Sequence, residues 1–131
     1  MKTIKEMKEL VDAGIAQPLT LDAARSLKGQ KIQTVYYGYN NVFITDEFVV
    51  GDVMSELDYY RQLKEDCYPN KHGFNNRAEE WEHIMSRERL QEKREKMMLL
   101  KDDGQPTYMY CYIYDDVFHC SDDDRIVFYI K

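Results

Sequence analysis

Tyr108, Tyr110, Tyr112 and Tyr114 occupy alternate positions of residues 107–114. Each brings a flat apolar ring with a hydroxyl tip. Set in a row, such rings can anchor a protein partner or stack the bases of a single nucleic-acid strand. They can equally pack against cross-strand neighbours and a covering helix. Base stacking also calls for Lys or Arg beside the rings, to follow the phosphates. Between Gly104 and Arg125 the chain has neither. Partner binding is therefore the functional reading to test. Tyr108, Tyr110, Tyr112 and Tyr114 are its platform, and Asp115 and Asp116 its acidic rim.

Other reactive groups are less organised. Asp115 and Asp116, then Asp122, Asp123 and Asp124, bracket a short apolar stretch. Carboxylates in such numbers can hold a hard cation, but the Asp-x-Asp-x-Asp-Gly spacing of a calcium loop is absent and Asp is an ordinary turn residue. Cys67, His72, His83, His119 and Cys120 match no zinc spacing, and no Cys-x-x-Cys occurs. His119 and Cys120 are adjacent, so on a strand they point to opposite faces and do not readily share one ion. A Cys–His nucleophilic pair would require the fold to unite distant residues. There is no phosphate loop, GxGxxG, GxSxG or HExxH. No metal, cofactor or catalytic residue is expected.

The bulk composition narrows the classes further. The chain has 131 residues, 44% hydrophobic and 32% charged, which suits one globular domain spanning 1–131. No apolar run approaches the roughly 20 residues of a membrane helix. The opening residues carry no apolar signal-peptide core. Three cysteines cannot all pair within one chain, and so sparse a set fits a reducing compartment. A cytosolic protein is the expectation. The formal charge is −6, and residues 102–131 carry seven Asp against Arg125 and Lys131. An acidic chain with no basic patch disfavours binding of duplex nucleic acid.

These residues must be positioned by elements the pattern predicts. Alternation over 107–114 predicts a strand, with Thr107, Met109, Cys111 and Ile113 on the core side. The Asp102-Asp103-Gly104 turn predicts a hairpin that pairs it with residues 97–101. Residues 2–13 read as a helix with Ile4, Met7, Lys8 and Val11 on one face. Thr20 caps a short helix over 21–27. Residues 32–39 and 42–44 read as a hairpin turning at Asn40-Asn41, and 48–54 as a further strand with Gly51 as a possible bulge. Residues 55–67 read as either helix or strand, with Ser55 followed by Asp58 favouring a helix start, and 68–75 is a loop. Asn76 to Glu79 starts another helix. A shift of its apolar arc suggests a break, with Ser86 capping a solvated, mixed-charge helix over 87–96. Residues 117–120 and 125–131 are strands, with Ile126, Phe128 and Ile130 on one face of the last and Val127 and Tyr129 on the other.

Helices, strands, helices, then strands is the order of an α+β fold. The expected architecture is a curled antiparallel sheet or small open β-barrel, with N-terminal helices and an inserted helical pair at about 76–96. The expected function is a non-enzymatic protein-binding module acting through the aromatic, acidic sheet surface. Two alternatives are a small enzyme or ligand binder, with a pocket between the sheet and the helical pair drawing on Tyr, Asp and His119, and an acidic mimic of nucleic acid.

Overall fold

The computed structural model describes residues 1–38, 42–63, 73–87, 96–120 and 125–131. Helix α1 (Ile4–Asp12) is started by Thr3, whose Oγ accepts the Glu6 N–H at 3.1 Å while the Glu6 carboxylate accepts the Thr3 N–H at 3.2 Å. This reciprocal cap satisfies two of the amides that a helix start leaves unpaired. Of the predicted apolar face only Met7 is fully buried, and Ile4 stays exposed, so α1 rests lightly on the sheet. After β1 (Gln17–Pro18) comes α2 (Leu21–Ser26), where the Thr20 hydroxyl accepts the Ala23 N–H as the sequence predicts. Pro18 lies in an edge strand, the position where a residue without an N–H is tolerated.

The strands β2 (Lys31–Tyr37), β3 (Phe43–Ser55), β4 (Lys96–Lys101), β5 (Pro106–Tyr112), β6 (His119–Cys120) and β7 (Phe128–Ile130) join β1 in one antiparallel sheet. Its order is β1-β7-β2-β3-β4-β5-β6. The ladder is open, with edges at β1 and β6, and the sheet is neither closed nor strongly curled. Isolated bridges Thr20↔Val117 and His119↔Ile126 tie the segments beside those edges. The α+β class and the N-terminal helices are as predicted, and a helical pair is inserted between β3 and β4.

Several boundaries differ. The stretches at 42–44 and 48–54 are a single 13-residue strand, β3, paired with β2 from Lys31↔Val49 to Tyr37↔Phe43. The Asn40-Asn41 turn, the cation candidates Asp122 to Asp124, and Cys67 and His72 lie outside the described residues. The irregularity expected at Gly51 is present: the β3–β4 register shifts between Val50 and Val53. The strand at 117–120 is shortened to His119–Cys120, and the last strand to Phe128–Ile130.

The helical pair is α3 (Glu56–Gln62) and α4 (Arg77–Arg87). The hydroxyl of Ser55 accepts the Asp58 N–H at 3.1 Å, and the Asn76 carboxamide oxygen accepts the Glu79 N–H at 2.8 Å, so both predicted starts hold. The predicted break at Ser86 does not. Ser86 lies inside α4, and its hydroxyl donates back to the His83 carbonyl. Such back-bonding lets a serine sit in a helix without capping a new one. Of the second helix expected over 87–96, residues 88–95 lie outside the described set and Lys96 begins β4. An edge contact between Tyr60 and Trp81 and an ion pair between Arg61 and Glu82 join α3 to α4.

One cluster forms the core. Ile32 and Tyr36 of β2, Phe48 and Val50 of β3, Leu99 of β4 and Met109 and Cys111 of β5 meet Leu19, Ala24 and Leu27 around α2, together with Phe118, Cys120 and Val127. Tyr129 packs against it beside Val127, so the predicted face division of the last strand is realised. The alternate residues of β2 face α1. There Gln33 accepts the Lys2 N–H and donates to the Lys2 carbonyl and the Thr45 hydroxyl. These bonds offset the cost of burying an amide.

Candidate functional aromatic surface

The period of two in β5 sends its side chains to two faces, as read from sequence. Thr107, Met109 and Cys111 are buried. Ile113, expected to join them, is 48% exposed, because β5 ends at Tyr112 and the Asp115 N–H turns back to the Tyr112 carbonyl at 2.8 Å. On the opposite face Tyr108 is 71% exposed and Tyr114 is 63% exposed, while Tyr110 and Tyr112 are partly buried. No helix covers the row completely.

Three of the four tyrosines form a continuous set. Tyr110 meets Tyr112 edge-on at 5.5 Å between ring centres, and Tyr112 stacks on Tyr114 at 5.6 Å with ring planes only 6° apart. Each such contact contributes about 0.5–1.5 kcal/mol beyond area burial. Two side chains from neighbouring strands brace the set. The β5–β6 register puts His119 opposite Tyr110, and the rings lie 4.5 Å apart. Lys96 pairs opposite Tyr112 in the β4–β5 ladder, and its Nζ lies 4.5 Å from the Tyr110 ring centre. A cation over a ring face is favoured by the ring's quadrupole. Tyr108 has no stacking partner in the row among the described residues.

His119 is 5% exposed. Its Nδ1 is 3.2 Å from the Cys120 carbonyl oxygen, so the tautomer with the proton on Nδ1 donates there. Its Nε2 is 3.9 Å from an Asp115 carboxylate oxygen. The other Asp115 oxygen accepts the Val117 N–H at 3.2 Å, which fixes the turn. The Asp116 side chain is exposed, and its carbonyl accepts the Leu21 N–H at the start of α2. Asp115 and Asp116 therefore stand in the turn that follows Tyr114, at that end of the row.

Lys96 is the site residue that the sequence reading does not name, and His119, read there as a residue of the alternative pocket, instead braces the tyrosine row. Residues 105–124 carry no Lys or Arg, and Lys96 comes from the neighbouring strand. The hairpin itself held the signal. Continuing the Lys101–Gln105 turn pairing backwards sets Lys96 opposite Tyr110. An irregularity between Met98 and Leu100 moves the pairing to Tyr112, and either register keeps Lys96 on the tyrosine face.

The thiol beneath this face is chemically quiet. Burial pushes Cys111 up to about 12 from its ordinary value near 9, and the charges of Asp115 and Asp116 push the same way. Only the thiolate reacts readily. At pH 8 native Cys111 is expected to escape iodoacetamide under conditions that fully modify the urea-unfolded chain, with peptide mass spectrometry as readout. Between pH 9 and 12 the unfolded thiol has lost its proton while the folded one keeps it. The folded state then binds more protons, so this group's contribution to stability falls as pH rises through that window. Among the described residues no group of three or more His, Cys, Asp and Glu is placed to hold a metal ion. Among them, too, no helix is long and apolar enough to cross a membrane. Set against protein-family models, curated proteins and solved structures, the chain matches none.

Proposed function

We propose that the protein is a non-enzymatic interaction module that docks an arginine-bearing segment of another protein on the outer face of β4, β5 and β6. The observation that carries this reading is the stacked pair Tyr112–Tyr114, with Tyr114 largely exposed and Tyr112 braced through Tyr110 by His119 and Lys96. A ring already held in place loses little freedom on binding, so more of its contact energy appears as affinity. Arginine suits both halves of the surface. Its planar guanidinium stacks on tyrosine, and its fork of donors pairs with carboxylates such as Asp115 and Asp116. The chain's charge of −6 favours encounter with a basic partner.

The same packing supports a non-catalytic role. The His119 ring is occupied by contacts with Tyr110 and Tyr112, and the Cys111 thiol is held protonated. The test is affinity capture with the immobilised full chain beside its Tyr114→Ala and Tyr114→Phe variants. A docking anchor of this kind is worth about 2 kcal/mol or more, roughly thirtyfold in affinity. One bound protein should be retained by the native chain and by Tyr114→Phe and lost from Tyr114→Ala, and its retention should weaken as salt rises. Equal capture by all three would refute the assignment.

A further inference from the structure

A groove of about 190 Å³ opens between α1 and the strands β2, β3 and β7. Val35, Tyr37, Phe43 and Phe128 form its apolar walls. Tyr37 and Phe43 pair across the β2–β3 ladder, their rings 5.0 Å apart and nearly edge-on. Lys8 and Asp12 line the groove from α1, one helical turn apart on the same face. Lys8 Nζ stands 4.4 Å from the Phe43 ring centre. Among the described residues no ion pair or side-chain hydrogen bond engages the Asp12 carboxylate. Arg125 also lines the groove, over Tyr37, and is already engaged by a further partner.

Apolar walls with a few convergent polar groups are the usual build of a small-molecule site. Size selects the body of the ligand: an apolar cavity of roughly 150 Å³ accepts one benzene ring. The polar pair on α1 selects its substituent. Lys8 and Asp12 carry opposite charges, so together they favour a neutral group over an ion. An ammonium only donates hydrogen bonds and a carboxylate only accepts them, whereas a hydroxyl does both. Helix stability does not call for Asp12, which closes α1 where the helix dipole disfavours a carboxylate. We propose that this groove binds a neutral single-ring phenol. The ring packs against Val35, Tyr37 and Phe128, and the hydroxyl donates to Asp12 and accepts from Lys8. The site is separate from the tyrosine row, because none of its walls belongs to β4, β5 or β6.

The experiment is a titration of the isotopically labelled full chain, followed by amide shifts, with two probes near neutral pH. One is phenol, which keeps its proton there. The other is toluene, its isostere without the hydroxyl. Saturable shifts are expected from both at Val35, Tyr37, Phe43 and Phe128. Asp12→Ala removes a carboxylate from the negative end of α1, so it should fold at least as well as the native chain. It should weaken phenol roughly three- to tenfold and leave toluene unchanged, because only the bond to the hydroxyl is lost. Shifts from either probe that do not saturate or that scatter over the surface, equal phenol affinity in the two chains, or a parallel loss of toluene would each overturn the proposal.

Discussion

Gly51→Ala is expected to destabilise the protein by about 3 kcal/mol or more, a large part of the roughly 5–15 kcal/mol that holds a domain folded. A Cβ at Gly51 would stand 2.1 Å from the Lys101 carbonyl oxygen and 2.5 Å from its carbon. Both are backbone atoms, so no side chain can rotate away. The surrounding bonds make the position stiffer still. The Val50 N–H donates to the Gln30 carbonyl, and the Asp102 N–H donates to the Val49 carbonyl. Relief would come from parting β3 from β4, the strand that supports β5 and its tyrosines. Gly104→Ala is the natural control. Gly104 sits at φ +84° with open space where a Cβ would lie, so it carries only the left-handed penalty of about 1–2 kcal/mol. Urea unfolding of both variants decides the matter. A Gly51→Ala cost no larger than that of Gly104→Ala would mean that the two strands do not approach so closely.

Phe118→Ala should cost about 3–5 kcal/mol, the usual loss for truncating a buried phenylalanine. Phe118 is fully buried in the core. Its N–H donates to the Leu19 carbonyl, and its carbonyl accepts the Val127 N–H, each at 2.8 Å. It therefore joins the segment after β1, the entry to β6 and the entry to β7. His119 follows it directly and braces Tyr110, so the cavity would loosen the support of the aromatic row as well as the core. Phe118→Leu keeps most of the volume and should lose less than about 1.5 kcal/mol. Urea midpoints at unchanged slope give both numbers. A Phe118→Ala loss below about 1 kcal/mol would contradict the core position of this ring.

Local signals explain why so much of the fold was legible in the sequence. Thr20, Ser55 and Asn76 cap helices through contacts that span three residues, and the Asp102–Gly104 turn pairs its own flanks. The core side of β5 follows from strand geometry alone. The break proposed at Ser86 failed because one arc of apolar residues was asked to decide a helix end. The helix instead continues with its serine bonded to its own backbone. Ile113 failed because alternation says nothing about where a strand stops.

The candidate site divides along the same line. The four tyrosines and the Asp rim are contiguous in sequence. Lys96 required the hairpin pairing to be carried one strand over. His119 required the β5–β6 register, which depends on how residues 113–118 turn. The groove beneath α1 was beyond local reasoning altogether, since it gathers Lys8, Phe43 and Arg125 from three parts of the chain. The groove under α1 does not involve the helical pair, and His119 is not among its walls.

The stacked Tyr112–Tyr114 pair is proposed as a docking surface. Its most direct measurement is the affinity of the captured partner for Tyr114→Ala relative to Tyr114→Phe, with both variants shown to match the native urea midpoint. A loss of roughly thirtyfold is expected for alanine and little change for phenylalanine, because the ring face carries the contact. Equal affinities for the two variants would contradict it.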